Sequence, residues 1–144
     1  MKSKSILLSC TMLLFSAGIF AQANFAGTWA LNESKSKFGD SQFRMAATSM
    51  VVTQDASSLS VQSTQPGFDG GEMKTSAKYN LDGSVSSNTG FMDSQQKSTV
   101  AWSADKTALT ITTTMSFDMG EFKSVQVWKL SDGGKTLLVE SSMP

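Results

Sequence analysis

The sequence predicts an all-β fold, an antiparallel up-and-down meander of about nine strands rolled into a small barrel. Three observations carry this expectation. Phe25, Trp29 and Leu31 are apolar at even spacing with Gly27 between them, so a strand puts three large groups on one face. Eight further segments rich in Val, Thr, Ile and aromatics repeat the period-two alternation of half-buried strands. Between them stand aspartate turns such as Asp82-Gly83 and Asp132-Gly133, the punctuation of hairpins, because glycine accepts positive φ.

The chain begins with the three parts of a secretory signal: Lys2 and Lys4, an apolar run over 6–20, and the small-residue site Ala21-Gln22-Ala23. Cleavage after Ala23 is expected to leave 24–144 as one domain in an extracytoplasmic space, periplasmic or secreted. The apolar run is shorter than the ~20 residues of a bilayer-spanning helix and contains Ser9, Thr11, Ser16 and Gly18. No later segment is apolar enough to span. Cys10, the only cysteine, lies within the signal, so the mature chain builds no disulfide. A lipid anchor on Cys10 would leave only Ile6 to Ser9 as its apolar region, too short for the usual pattern. Removing Lys2 and Lys4 leaves ten basic against twelve acidic residues, with no basic field to attract nucleic acid or anionic lipid.

The first strand opens at Phe25, and Trp29, which can bury roughly 150 to 250 Å², is expected to plug one barrel end, with Gly27 where backbone must approach closely. The polar stretch that follows carries a lone Phe38, read as a short turn laid over a barrel mouth. Strand patterns then run over 44–54, 59–64, 72–81, 85–89, 96–102, 108–117, 122–130 and 136–140. In the third of these, Met73, Thr75, Ala77 and Tyr79 share one face while Lys74, Ser76 and Lys78 take the other, which is solvent. Tyr79, Trp102 and Trp128 each lead within a few residues into an aspartate turn at Asp82, Asp105 or Asp132, and Val52 to Asp55 is a degenerate earlier copy. Longer loops at 65–71 and 89–95 carry Phe68 and Phe91 at their tips. The chain stops after Ser141-Ser142-Met143-Pro144, where a last hairpin partner is expected, so the barrel is either closed or short of a C-terminal strand.

Phe25-Ala26-Gly27-Thr28-Trp29 followed by a hairpin meander resembles the lipocalins and the wider calycin barrels, whose first strand carries a Gly-x-Trp. The pattern Phe25-x-Gly27-x-Trp29-x-Leu31-Asn32 with Ser36-x-Phe38-Gly39 is similar, more closely, to small exported bacterial proteins described as lipocalin-like. The resemblance implies an extracytoplasmic barrel with an apolar interior in which Gly27 and Trp29 are structural. Two lipocalin signatures are missing: there is no Thr-Asp-Tyr loop motif, and the only arginine, Arg44, is not on a final strand.

The chain has no histidine and the mature chain no cysteine, which excludes Ser-His-Asp and Cys-His nucleophilic sites, ordinary zinc sites and histidine-ligated haem. No cofactor or metal is expected, and no enzymatic activity. Asp118 and Glu121 flank the Met119-Gly120 turn as an acid and base pair in principle, but acidic residues at hairpin tips are ordinarily solvated. Seven methionines outside the leader, Met115 and Met119 among them, raise Cu(I) ligation. Met115 and Phe117, however, share the face of Leu109, Ile111 and Thr113, which is core spacing.

The candidate interior is that face together with Met73, Tyr79, Val125 and Val127. Met73, Tyr79, Ile111, Met115, Phe117, Val125 and Val127 are the predicted lining of a pocket for a small hydrophobic ligand, with Thr75, Thr113 and Tyr79 supplying hydroxyls. The same residues equally suit a filled barrel core. Two functions follow: a soluble exported binding protein for a small apolar or amphipathic molecule, or a non-enzymatic envelope module that holds another envelope protein or a glycan through its loops. An outer-membrane barrel fits poorly, since Lys74, Lys78, Lys97 and Lys123 fall on the outward face.

Overall fold

The computed structural model describes residues 22–37, 47–67, 69–90 and 93–143. The leader through Ala21, with Cys10, lies outside these, as do Phe38, Arg44, Phe68 and Phe91. Nine strands follow one another in chain order: β1 Gly27–Ala30, β2 Ser49–Gln54, β3 Ser58–Pro66, β4 Glu72–Asn80, β5 Ser86–Thr89, β6 Gln95–Trp102, β7 Ala108–Phe117, β8 Gly120–Ser131 and β9 Thr136–Ser142. All pairings are antiparallel between chain neighbours. Among the described residues no helix is long and apolar enough to cross a membrane.

The expected closed barrel is not found. The strands form two sheets, β1 to β4 and β5 to β9, and no ladder joins β1 to β9. Between β4 and β5 the backbone ladder gives way to side chains. Lys78 N–H donates to Asn88 Oδ1, Asn88 Nδ2 donates back to Lys78 O, and Asn80 N–H donates to Ser86 Oγ. An asparagine amide carries one acceptor and two donors, so it imitates the peptide group it replaces. The four-residue β5 is thereby fastened to β4 without joining its sheet.

A single apolar core joins the two sheets. Val52, Leu59 and Val61 come from the first, and Val100, Leu109, Ile111 and Trp128 from the second. Phe25, ahead of β1, lies among them with none of its surface exposed. Its ring stacks on Trp102 at 6.1 Å and meets Trp128 edge-on at 5.7 Å. The backbone around it is pinned on both sides: Phe25 N–H donates to Gln54 Oε1, Gln54 Nε2 donates to Ala23 O, and Ala23 N–H donates to Lys106 O. Phe25, and not Trp29, therefore plugs the end. Trp29 is half-buried one step along β1, opposite Met50, where its indole N–H donates to Phe25 O at 2.9 Å. Gly27 is needed for its φ of +150° and not for close approach, because an added Cβ would stand an ordinary 3.7 Å from the Trp29 ring.

The aspartate turns gather at this same end, since every second connection of a meander returns there. Asp55 Oδ1 accepts from the N–H groups of Ser57 and Ser58, and Asp82 Oδ1 accepts from Ser84 N–H and Oγ. Asp105 Oδ1 accepts from the hydroxyls of Ser103 and Thr107 and from Thr107 N–H. Donors converging on an ionised carboxylate favour the charged form. The hydroxyls of Ser103 and Thr107 hold Asp105 down at about 2, while the backbone donors of Ser57 and Ser58 lower Asp55 and the hydroxyl of Ser84 lowers Asp82.

Two outcomes follow. Phe25→Ala is expected to cost about 3 to 5 kcal/mol, the usual price of emptying a buried aromatic position, measured by urea unfolding. The depressed folded-state values make the turn carboxylates stabilising above their ordinary pKa, a contribution lost as pH falls from 3.8 toward about 2. Thermal melts in that window should fall less steeply for Asp105→Asn than for the wild type.

Candidate functional site

Strand register decides which side chains look inward. On β7 the inward set is Leu109, Ile111, Thr113, Met115 and Phe117, the face read from the sequence. The β7–β8 hairpin turns on Asp118 and Met119, pairing Phe117 with Gly120, so odd positions of β7 oppose even positions of β8. The inward residues of β8 are accordingly Phe122, Ser124, Gln126 and Trp128, opposite Met115, Thr113, Ile111 and Leu109. Val125 and Val127 oppose Thr112 and Thr110 on the other side of the sheet. They do not join the rest of the predicted lining.

The remaining predicted residues divide by height. Ile111 belongs to the buried core and Tyr79 packs against it, where burial pushes the phenol pKa up and keeps it protonated. Met73, Met115 and Phe117 are half-buried and outside that cluster. All three lie toward the end opposite the aspartate turns, Met73 beside the 67–71 loop and Phe117 beside the Asp118-Met119 turn. Phe117 meets Phe122 edge-on at 5.7 Å.

Between these two zones runs a belt of hydroxyls of which the sequence reading named Thr75 and Thr113 and missed the rest. Ser86, Ser98, Thr113 and Ser124 stand directly opposite one another across β5, β6, β7 and β8. Ser98 is only 2% exposed, and Ser86 and Thr113 are also buried. Ser98 Oγ and Thr113 Oγ1 lie 2.7 Å apart, one hydroxyl donating to the other. On the facing sheet Ser63 and Thr75, also half-buried, are opposite one another at the corresponding step beyond Val61 and Ala77. The next row of the second sheet is Asn88, Gln96, Met115 and Phe122. The Gln96 side chain lies across Gly90, where any Cβ would overlap its amide.

The inward surface thus passes from a dry aromatic and aliphatic end, through hydroxyls, to a half-exposed rim of methionine, phenylalanine and amide. No protein-family model, curated protein or solved structure matches this chain. What the site can do therefore follows from its own chemistry. Apolar walls with a few convergent polar groups suit a small molecule that is mostly hydrocarbon. Two grooves, of about 360 and 230 Å³, are lined by residues of the first sheet alone, chiefly outward Ser, Thr, Gln and Lys, and offer no comparable apolar wall. Asp118 and Glu121 are exposed at their hairpin, and Met119 is exposed beside them while Met115 points inward. The aspartate turns form no group of three metal-binding side chains among the described residues.

The buried hydroxyl pair gives a direct test of the belt. Ser98→Ala alone leaves the Thr113 hydroxyl unpaired and is expected to cost about 1 to 3 kcal/mol, whereas Ser98→Ala with Thr113→Val removes both partners and is expected to recover most of that loss. Urea unfolding of the two single variants and the double variant completes the cycle.

Proposed function

We propose that the protein is an extracytoplasmic, lipocalin-like binding protein that holds a small apolar or amphipathic molecule at the rim end between its two sheets. The observation that carries this reading is the change of the inward surface along the strands. Leu109, Ile111 and Trp128 fill one end, while Met115, Phe117 and Phe122 on the same sheet face stay half-exposed or exposed at the other. Exposed apolar side chains that continue a core are costly in water, and a hydrocarbon ligand would cover them. Methionine suits such a wall because its unbranched thioether adapts to ligands of differing shape. Flanking serines, threonines and amides would orient a polar group without forming a reactive centre.

A second reading, an interaction module of the envelope, is favoured by β9. Among the described residues its outer edge has no paired strand, and Leu138 and Val139, pointing to opposite faces, are 48% and 39% exposed. An edge of this kind can accept a strand from another protein.

Native mass spectrometry of protein taken from the soluble envelope fraction of its own host separates the two. Under the ligand reading the native mass exceeds the denatured mass by a small molecule, and the denatured mass matches 24–144. Met115→Lys, which places a charge on the half-buried rim, is expected to abolish that excess while leaving the circular dichroism spectrum unchanged. A native mass equal to the denatured one, together with a reproducible co-purifying protein, would move the assignment to the interaction module.

A further inference from the structure

The inward face of the described strands carries no charged side chain. Every Lys and Glu of the strands falls on the outward face: Glu72, Lys74 and Lys78 on β4, Lys97 on β6, Glu121, Lys123 and Lys129 on β8, and Glu140 on β9. Inward positions opposite them hold hydroxyls, amides or apolar groups. An ion brought between the sheets would lose its hydration and meet no described counter-ion there, a cost of several kcal/mol that neutral hydrogen bonds do not offset.

Hydrogen-bonding capacity is nevertheless left over. In the Ser98 and Thr113 pair one hydroxyl donates to the other, so the second keeps a proton to give. Ser86 Oγ accepts from Asn80 N–H and likewise retains its own proton. Ser94, one residue before β6, is only 4% exposed, and its Oγ has no partner among the described residues. Ser94 C=O continues the β5–β6 ladder by accepting from Gly90 N–H, and alternation puts its side chain on the same face as Gln96 and Ser98. A buried hydroxyl without a partner is uncommon in folded proteins and calls for a partner of its own.

We infer that the molecule held here is electrically neutral and carries a hydroxyl or carbonyl oxygen on a hydrocarbon body, in the class of long-chain alcohols, ketones and esters, and not a fatty-acid anion or an alkylammonium ion. This rests on the binding reading above and narrows it. Ser98 and Thr113 receive the oxygen, while Met115 and Phe117, farther along the same face, line the hydrocarbon.

The test is displacement of Nile red from the full folded chain by four ten-carbon probes: 1-decanol, n-decane, decanoate and decylamine. At pH 7.5, 1-decanol is expected to bind at least ten-fold tighter than decanoate or decylamine, and about five-fold tighter than n-decane, the worth of one hydrogen bond near 1 kcal/mol. Decanoate should gain affinity as pH falls through the ordinary carboxylate range near 4 to 5. The Ser98→Ala and Thr113→Val double variant should reduce the preference for 1-decanol over n-decane and leave n-decane unchanged. Decanoate binding as tightly as 1-decanol at pH 7.5 would overturn the neutral-ligand inference while leaving the binding reading intact. Equal affinity for 1-decanol and n-decane would overturn the oxygen-receiving role of the belt. Failure of Nile red and all four probes to bind would instead remove the binding reading on which the inference stands.

Discussion

The packing of Phe25 between Trp102 and Trp128 is the contact on which the rest depends. It is made by a residue outside every strand, yet it joins the N-terminal segment to β6 and β8 of the other sheet. Gln54 serves it by spending both ends of its amide on the backbone, accepting from Phe25 N–H and donating to Ala23 O. Trp29 adds an indole donor to Phe25 O.

With one end fixed in this way, the character of the interior is graded along the strands. The residues that lead into the aspartate turns, Tyr79, Trp102 and Trp128, stack their bulk near Phe25. Tyr79, Trp102 and Trp128 stand at the ends of their strands next to these turns, whereas Met73, Met115, Phe117 and Phe122 stand toward the opposite loops. Hydroxyls occupy the middle because a serine or threonine in a row of like residues can bond sideways, as Ser98 and Thr113 do. Beyond them, methionine and phenylalanine have no second layer over them among the described residues. The filled core and the proposed pocket, which compete for the same residues in the sequence, fall at different heights of one interior. The orphan Trp102 Nε1 lies in the packed part, where Trp29 and Trp128 have each found an acceptor.

Separation into two sheets follows from short elements as much as from missing ones. β1 and β5 have four residues each, too few to carry long ladders on both sides. At β5 the shortfall is met by Asn88 and Ser86 reaching β4. At β9 nothing comparable among the described residues covers the outer edge, and neither lysine nor proline stands within Thr136–Ser142 to discourage a further strand.

The sequence by itself determined the strand count, their order and most of their bounds, because period-two alternation and aspartate turns are local signals. The inward face of β7 and the outward lysines were legible for the same reason. It did not determine the partner face of β8, where Val125 and Val127 alternate with Trp128 and Leu130 and either side reads as apolar. The two-residue turn at Asp118 and Met119 set that parity, and a single-residue change in turn length would have reversed it. Ser86, Ser98 and Ser124 went unread because an isolated serine carries no burial signal, and only register across four strands makes them a belt. Nor could the sequence choose Phe25 over Trp29 as the plug, since both are large aromatics on one face. That choice belongs to the tertiary structure: Phe25 sits at the end where both sheets converge, and only there can one ring touch the two tryptophans of the opposite sheet.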